Sequence, residues 1–201
     1  MKITELKQQV KRADRVSVYV DSKYSFSLSS EELLSTKLYK GMVLSSTELS
    51  DLTKLSERSL VKAQCYHYLS YRPRSQWEME TYLKRKGYSV QIIEDTIKYL
   101  INQNLVNDNE FANRWIENRV LLKPTSINVL KLELKQKHIS QGIINEALEN
   151  HDINELEIIK ILIDKKRQQS GYKEDLKLMQ FLVRRGFNYG LIKRALDNPS
   201  D

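Results

Sequence analysis

The sequence predicts a mainly α-helical protein: tandem three-helix repeats, in three copies, preceded by a small N-terminal module that contains a β-hairpin. Three observations carry this. The stretch 72–100, RPRSQWEMETYLKRKGYSVQIIEDTIKYL, recurs along the chain. Displaced by 51 residues, Pro73, Ser75, Leu83, Lys86, Ser89, Ile92, Ile93 and Ile97 fall on Pro124, Ser126, Leu134, Lys137, Ser140, Ile143, Ile144 and Leu148. Displaced by 99, Leu83, Arg85, Lys86, Gly87, Tyr88, Ser89, Ile92 and Ile97 fall on Leu182, Arg184, Arg185, Gly186, Phe187, Asn188, Leu191 and Leu196, with Ile93 on Ile192. A period near fifty residues with matched apolar positions marks tandem supersecondary units. Each copy also carries the same punctuation, a helix stop followed at once by a helix start. Before residue 50 the pattern changes to strict alternation, which is the signature of strands.

In the N-terminal module, Val16, Val18 and Val20 alternate with Arg15, Ser17 and Tyr19. After Asp21-Ser22-Lys23 a second run places Tyr24, Phe26 and Leu28 on one face. This is a hairpin with one buried face, and it needs a partner layer because two strands alone are marginal in water. Ile3 to Gln9 is a candidate third strand, and Ser30-Glu31-Glu32-Leu33-Leu34 opens a short helix that stops before Gly41. The boundary is placed in SSTELSDL, residues 45–52, so the expected divisions are 1–52 for the module and 53–104, 105–150 and 151–201 for the three repeats.

Within a repeat the middle helix stops at Gly87, which tolerates the left-handed conformation, and Tyr88 packs back on its last turn. Ser89 then caps the next helix, whose Ile92, Ile93, Ile97 and Leu100 share a face. Gly186, Phe187 and Asn188 repeat the device; the second copy has His138 in the glycine place. Ser75 with Glu78 reads as a capping box for the helix before Gly87. A further helix precedes each pair, near 55–70, 108–121 and 153–168. Pro73 and Pro124 force the turns into the middle helices, and Ser170-Gly171-Tyr172 takes that place in the third copy. Trp115, four residues after Phe111, belongs to the core, while Trp77 beside the Pro73 turn suits either a core or a contact role.

The segments YLSYRPRS (68–75), LKRKGYS (83–89), FANRWIENR (111–119) and LELKQKHIS (132–140) resemble the signature segments of the RecX regulatory proteins, and the likeness covers roughly residues 55–198. The hairpin RVSVYVDSKYSFSLS is similar to the N-terminal extension of some members. The resemblance implies tandem three-helix repeats, binding to the RecA recombinase and its nucleoprotein filament, and inhibition of filament and strand-exchange activity. His138 departs from the glycine of the family pattern.

The chemistry of the residues agrees with a binding protein. His67, His138 and His151 lack the close spacing of a metal site, neither GxxxxGK[ST] nor GxGxxG occurs, and Glu78 and Glu80 read as helix-start charges. No enzyme activity and no cofactor are expected. The net charge of +7 is uneven: Lys160 to Arg194 holds ten Lys or Arg against three Asp or Glu. Basic residues recur beside the turns, and Arg72, Arg74, Lys84, Arg85, Lys86, Lys123, Lys135, Lys137, Lys165, Lys166, Arg167, Arg184 and Arg185 are the candidate contacts to RecA or DNA. Phosphate contacts of this kind give affinity without sequence readout. A sequence-independent DNA-binding protein of helix-turn-helix-like units, without RecA as direct partner, is therefore the alternative from the charge pattern alone. The single Cys65 is read as buried filler, and with no apolar run long enough for a membrane the expected setting is the cytoplasm and the expected state a monomer.

Overall fold

The computed structural model describes residues 1–10, 12–172 and 174–197. Three strands, β1 (Ile3–Gln8), β2 (Arg15–Val20) and β3 (Lys23–Ser29), are followed by α1 (Ser30–Thr36) and α2 (Ser46–Tyr71). The first repeat continues with α3 (Gln76–Arg85) and α4 (Val90–Asn102). The second holds α5 (Asp108–Leu122), α6 (Ile127–Gln136) and α7 (Gln141–Glu149). The third holds α8 (Glu155–Arg167), a 3-10 turn (Ser170–Tyr172), α9 (Asp175–Arg184) and α10 (Tyr189–Asp197). The end expected for this repeat, at residue 201, lies outside the described residues. The chain divides into two bodies, one of residues 1–72 and 87–99, the other of 73–86 and 100–201.

In the first body the strands form an antiparallel sheet in the order β1-β2-β3. Its core is Ile3, Val18, Val20, Phe26, Leu28, Leu38 and Leu44, with Leu49, Leu52 and Leu55 of α2 packed against it. The edge of β1 is covered by the segment after α1: Ile3 donates to the Met42 carbonyl at 2.9 Å and Gly41 to the Ile3 carbonyl at 2.8 Å. The outer edge of β3 is closed at Ser27 by one side chain of α2. Ser56 Oγ donates to the Ser27 carbonyl at 2.6 Å and accepts from the Ser27 N–H at 3.2 Å, so neither backbone group is left open for another strand. Arg15 is buried beside it. Its guanidinium donates to Ser59 Oγ at 2.9 Å and to the Ser27 carbonyl at 2.6 Å.

Three expectations change here. The hairpin has no open second face near α2, because Arg15 and Ser17 are buried as well as Val18 and Val20. Tyr24 is exposed rather than buried, since a bulge between Val18 and Tyr19 shifts the register and sets it opposite Tyr19. And α2 begins at Ser46 rather than near residue 55: Ser45 and Glu48 form a reciprocal capping box, so SSTELSDL is the first two turns of a 26-residue helix.

In the second body the second and third repeats each own a core. Phe111, Ala112, Ile116, Leu130, Leu134, Ile139, Ile144 and Ala147 fill one. Ile159, Leu162, Ile163, Leu178, Leu182, Phe187, Ile192 and Ala195 fill the other. Both hydrophobic sets follow the helical period with the residue after the stop, Ile139 or Phe187, folded back onto the middle helix as the sequence predicts. The stops themselves are left-handed: φ is 83° at Gly87, 58° at His138 and 81° at Gly186.

The two glycines differ in what surrounds them. A Cβ on Gly87 would meet nothing within 4 Å, whereas one on Gly186 would lie 2.5 Å from Val129 Cγ2 and 2.7 Å from Ser126 Oγ. Gly87→Ala is therefore expected to cost only the left-handed backbone penalty, about 1 kcal/mol. Gly186→Ala adds overpacking against the second repeat and is expected to cost about 2–4 kcal/mol in all. Urea unfolding of the two variants beside the parent checks this, and equal losses would remove Gly186 from its role at the contact.

Candidate interaction surface

The basic corners sit where the middle helices begin and end, so their geometry follows from how those ends are satisfied. The first N–H groups of a helix need acceptors from outside it. At α3, Ser75 Oγ accepts from the Glu78 N–H at 3.3 Å, and Asp108, from the start of α5 in the next repeat, accepts from the Gln76 N–H at 2.8 Å. At α6 the arrangement recurs: Ser126 Oγ accepts from Val129 N–H at 3.2 Å, and Glu155, at the start of α8, accepts from Ile127 N–H at 2.7 Å. The corner of the following repeat docks on the same spot. Ser75 Oγ donates to the Lys137 carbonyl at 3.0 Å, and Thr125 Oγ1 donates to the Arg185 carbonyl at 3.2 Å.

These junctions absorb two of the candidate residues. Lys137 Nζ donates to Glu78 at 2.7 Å, with the carboxylate only 8% exposed, and lies 5.4 Å from the centre of the Trp115 ring. Arg185 donates to the Pro124 carbonyl at 2.6 Å and packs over Phe181. The capping box expected at Ser75 is thus half formed, because Glu78 turns its carboxylate to Lys137. His138 stacks on Trp77, ring centres 4.2 Å apart and 16° from parallel, which places Trp77 in the junction. Trp115 packs against the core of its repeat and donates through Nε1 to Glu133 at 2.8 Å, which also takes Arg119.

The other candidates lie further out. Lys84, Arg85 and Lys86 are exposed at the end of α3, with Lys84 Nζ 3.9 Å from Glu80 and Lys86 over the Tyr82 ring. Lys123, Lys135, Lys165, Arg167 and Arg184 are exposed, and Arg167 donates to Asp175 at 2.8 Å. Lys166 is half-buried over the rings of Tyr172 and Phe181. Arg72 and Arg74 are half-buried on either side of Pro73, the former with the extended backbone that precedes proline. Cys65 is fully buried, and burial pushes its thiol up to about 12. No helix among the described residues is long and apolar enough to cross a membrane.

With this geometry in view the comparisons decide the family. Models of the RecX N-terminal domain and of the first, second and third RecX three-helix domains match residues 1–45, 62–100, 107–148 and 154–196. The regulatory protein RecX of Lactobacillus johnsonii is 33% identical over 200 residues, 97% of this chain and 73% of that protein. This chain belongs to the RecX family. Regulatory protein RecX of Bacillus pumilus is 30% identical over 99% of this chain and 78% of its own length, and that of Clostridium perfringens is 27% identical over 98% and 97%. A crystal structure of a regulatory protein RecX matches with a TM-score of 0.69 over 98% of this chain and 99% of its own, at 24% identity, which speaks to the fold. RecX from Lactobacillus salivarius matches with a TM-score of 0.61 at 26% identity over 70% of this chain and 94% of its own.

The junction acid Asp108 sets a pH dependence. Burial raises its carboxyl above the ordinary value of 3.8, against the pull of the Gln76 N–H, and Glu80 and Glu78 push the same way. A raised value in the folded state means that the folded protein holds the proton more tightly, so this group's contribution is fullest below the ordinary value and falls as pH rises through the raised one. Asn at 108 keeps an acceptor for the Gln76 N–H and never ionises. The stability of Asp108→Asn relative to the parent should therefore improve as pH rises through that window, while Asp108→Ala should lose about 1 kcal/mol of capping. Urea unfolding of the three proteins from pH 3.5 to 7, on the order of half-unit steps, reads both effects.

Proposed function

We propose that this chain is a non-enzymatic regulator that binds RecA and its nucleoprotein filament in the cytoplasm and restrains strand exchange and ATP turnover. Membership of the RecX family, across both the N-terminal module and the three repeats, is the observation that carries the proposal. The recurrent exposed basic corners support it, because they offer cations to the acidic surfaces of a nucleoprotein at repeated intervals. Within the candidate set the contact role falls to the exposed groups, chiefly Lys84, Arg85, Lys86, Lys123, Lys135, Lys165 and Arg184, since Lys137 and Arg185 already hold junctions.

Lys84→Ser, Arg85→Ser and Lys86→Ser combined should leave the fold intact, because exposed helix-end cations contribute little to stability. Inhibition of RecA strand exchange should fall about tenfold or more. If these side chains touch DNA, each lost phosphate contact lowers the salt slope of binding by roughly 0.7 to 0.9. If they touch RecA, filament affinity drops while binding to naked single-stranded DNA stays unchanged. Lys54→Ser with Lys98→Ser, exposed lysines away from the corners, serves as the charge control. Undiminished inhibition by the folded triple variant, with parental DNA binding, would overturn the assignment of the corner.

A further inference from the structure

One face of α2 is covered over its first half and open over its second. In the first half Leu49, Leu52 and Leu55 pack on the sheet core, Ser56 holds Ser27, and Ser59 accepts from Arg15. Continued at 3.6 residues per turn, the same face holds Lys62, Ala63, Tyr66, His67 and Ser70, with Tyr71 at its edge. Tyr66 is 42% exposed and Tyr71 69%, and Ala63, His67 and Ser70 are exposed with them. The rings hold one another in place. Tyr66 Oη lies 2.8 Å from Tyr99 Oη of α4, Lys62 Nζ stands 3.7 Å from the centre of the Tyr99 ring, and Tyr71 Oη lies 3.1 Å from His67 Nε2 with the two rings edge to face. Ala63 and Ser70 form a low floor between these walls, and Ser70 turns its hydroxyl back to the His67 carbonyl at 2.8 Å. The internal repeat supplies the control. With the buried pair Val61 and Cys65 set on Ala112 and Ile116 and on Ile159 and Ile163, the positions of Tyr66, His67 and Tyr71 hold Glu117, Asn118 and Leu122 in the second repeat and Asp164, Lys165 and Gln169 in the third. The ring cluster belongs to the first copy alone.

We propose that this face is a stacking platform for the unpaired bases of single-stranded nucleic acid. Chemistry and charge select the occupant. The open rings carry hydroxyls or ring nitrogens, and no Leu, Ile, Val or Met stands among them, which suits flat ligands with polar edges better than the apolar face of another helix. The low floor between the rings leaves room for a base to lie against one. A phosphate backbone needs cations, and α2 with its cap supplies Arg58, Lys62 and Arg72 while holding no Asp or Glu from 58 to 72. Asp95 of α4 is answered by Arg58 at 3.6 Å. In the other two copies an acid stands in the place of Tyr66 and would repel the same backbone. The bond from Tyr99, with burial, pushes the Tyr66 hydroxyl up to about 12, so the pair stays neutral beside a polyanion. A duplex keeps its base faces inside its own stack and offers nothing to these rings. The basic corners give phosphate contacts that any strand satisfies, whereas this platform adds a dependence on the bases themselves.

Fluorescence anisotropy of a labelled oligothymidylate with the full chain tests this without RecA, so its failure and that of the RecA reading are told apart. An abasic strand of the same length and charge should bind at least about tenfold more weakly, because it keeps the phosphates and lacks the rings. Tyr66→Ala and Tyr71→Ala should each weaken binding about five- to tenfold at an unchanged salt slope, since neither ring carries charge. Tyr71→Phe, which keeps a ring, should bind as the parent does. Tyr39→Ala removes a tyrosine that is 63% exposed in the N-terminal module and serves as the control, with parental affinity expected. Circular dichroism checks each fold, and Tyr71→Ala, at the more exposed ring, gives the reading if Tyr66→Ala does not fold. Four outcomes would overturn the proposal: equal affinity for the abasic and thymidine strands, parental affinity in both alanine variants, no binding by the parent up to about 1 mM, or alanine variants that lose RecA inhibition at parental DNA affinity, which would give the face to a protein.

Discussion

The repeats are tied together by a need that each middle helix cannot meet alone. A helix start leaves N–H groups without intrahelical acceptors, and at α3 and α6 the N-cap serine is fully buried, so water does not reach them freely. The next repeat supplies the missing acceptor as an acid from the start of its first helix, and its corner adds a backbone carbonyl that accepts from the hydroxyl of the turn. Ser75 and Ser126 consequently do two jobs, capping their own helix and marking the seat of the neighbour. The corner residue that follows the carbonyl has to be left-handed to turn away, and what it carries is decided by the seat.

The two seats solve that problem with opposite chemistry. At the first, Trp77 offers a flat ring and Glu78 a buried carboxylate, so the incoming corner can bear His138, which stacks, and Lys137, which neutralises. The left-handed penalty of a non-glycine residue is offset by the stacking contact, worth about 1 kcal/mol for such ring pairs. At the second seat Val129 replaces Glu78 in register and stands where a Cβ would fall, so only Gly186 fits. The substitution of His for Gly in one copy is thus a property of the seat, and the corner follows it. Such pairing also explains why the basic set is mixed: a cation beside a corner is structural when the preceding repeat presents an acceptor and exposed when it does not.

Much of this was legible in the sequence, and the remainder was illegible for a definite reason. Helix stops at Gly87 and Gly186, restarts at Ser89 and Ser140, and the apolar faces behind them depend on residues within a turn or two of one another, so local pattern suffices. The seats join Ser75 to Lys137 and Thr125 to Arg185 across about sixty positions, and no local period connects them. Nothing in the composition of the corner separates Lys137 from Lys135. The early start of α2 was a different case, because Ser45 and Glu48 spell the capping box in plain order; polar, serine-rich composition obscured a helix whose first turns are stabilised from their end. Tyr24 needed the bulge, which a strict alternation cannot represent. Ser56 and Arg15, which fasten α2 to the sheet, would be read as surface residues by type and are buried by context.

The third repeat shows what happens when the need is met from within. At α9 no repeat follows among the described residues, the N-cap is Glu174 without a side-chain cap bond, and Asp175 sits at the first helical position with Arg167 beside it. These acids bring to the helix start the negative charge that Asp108 and Glu155 bring to α3 and α6 from outside.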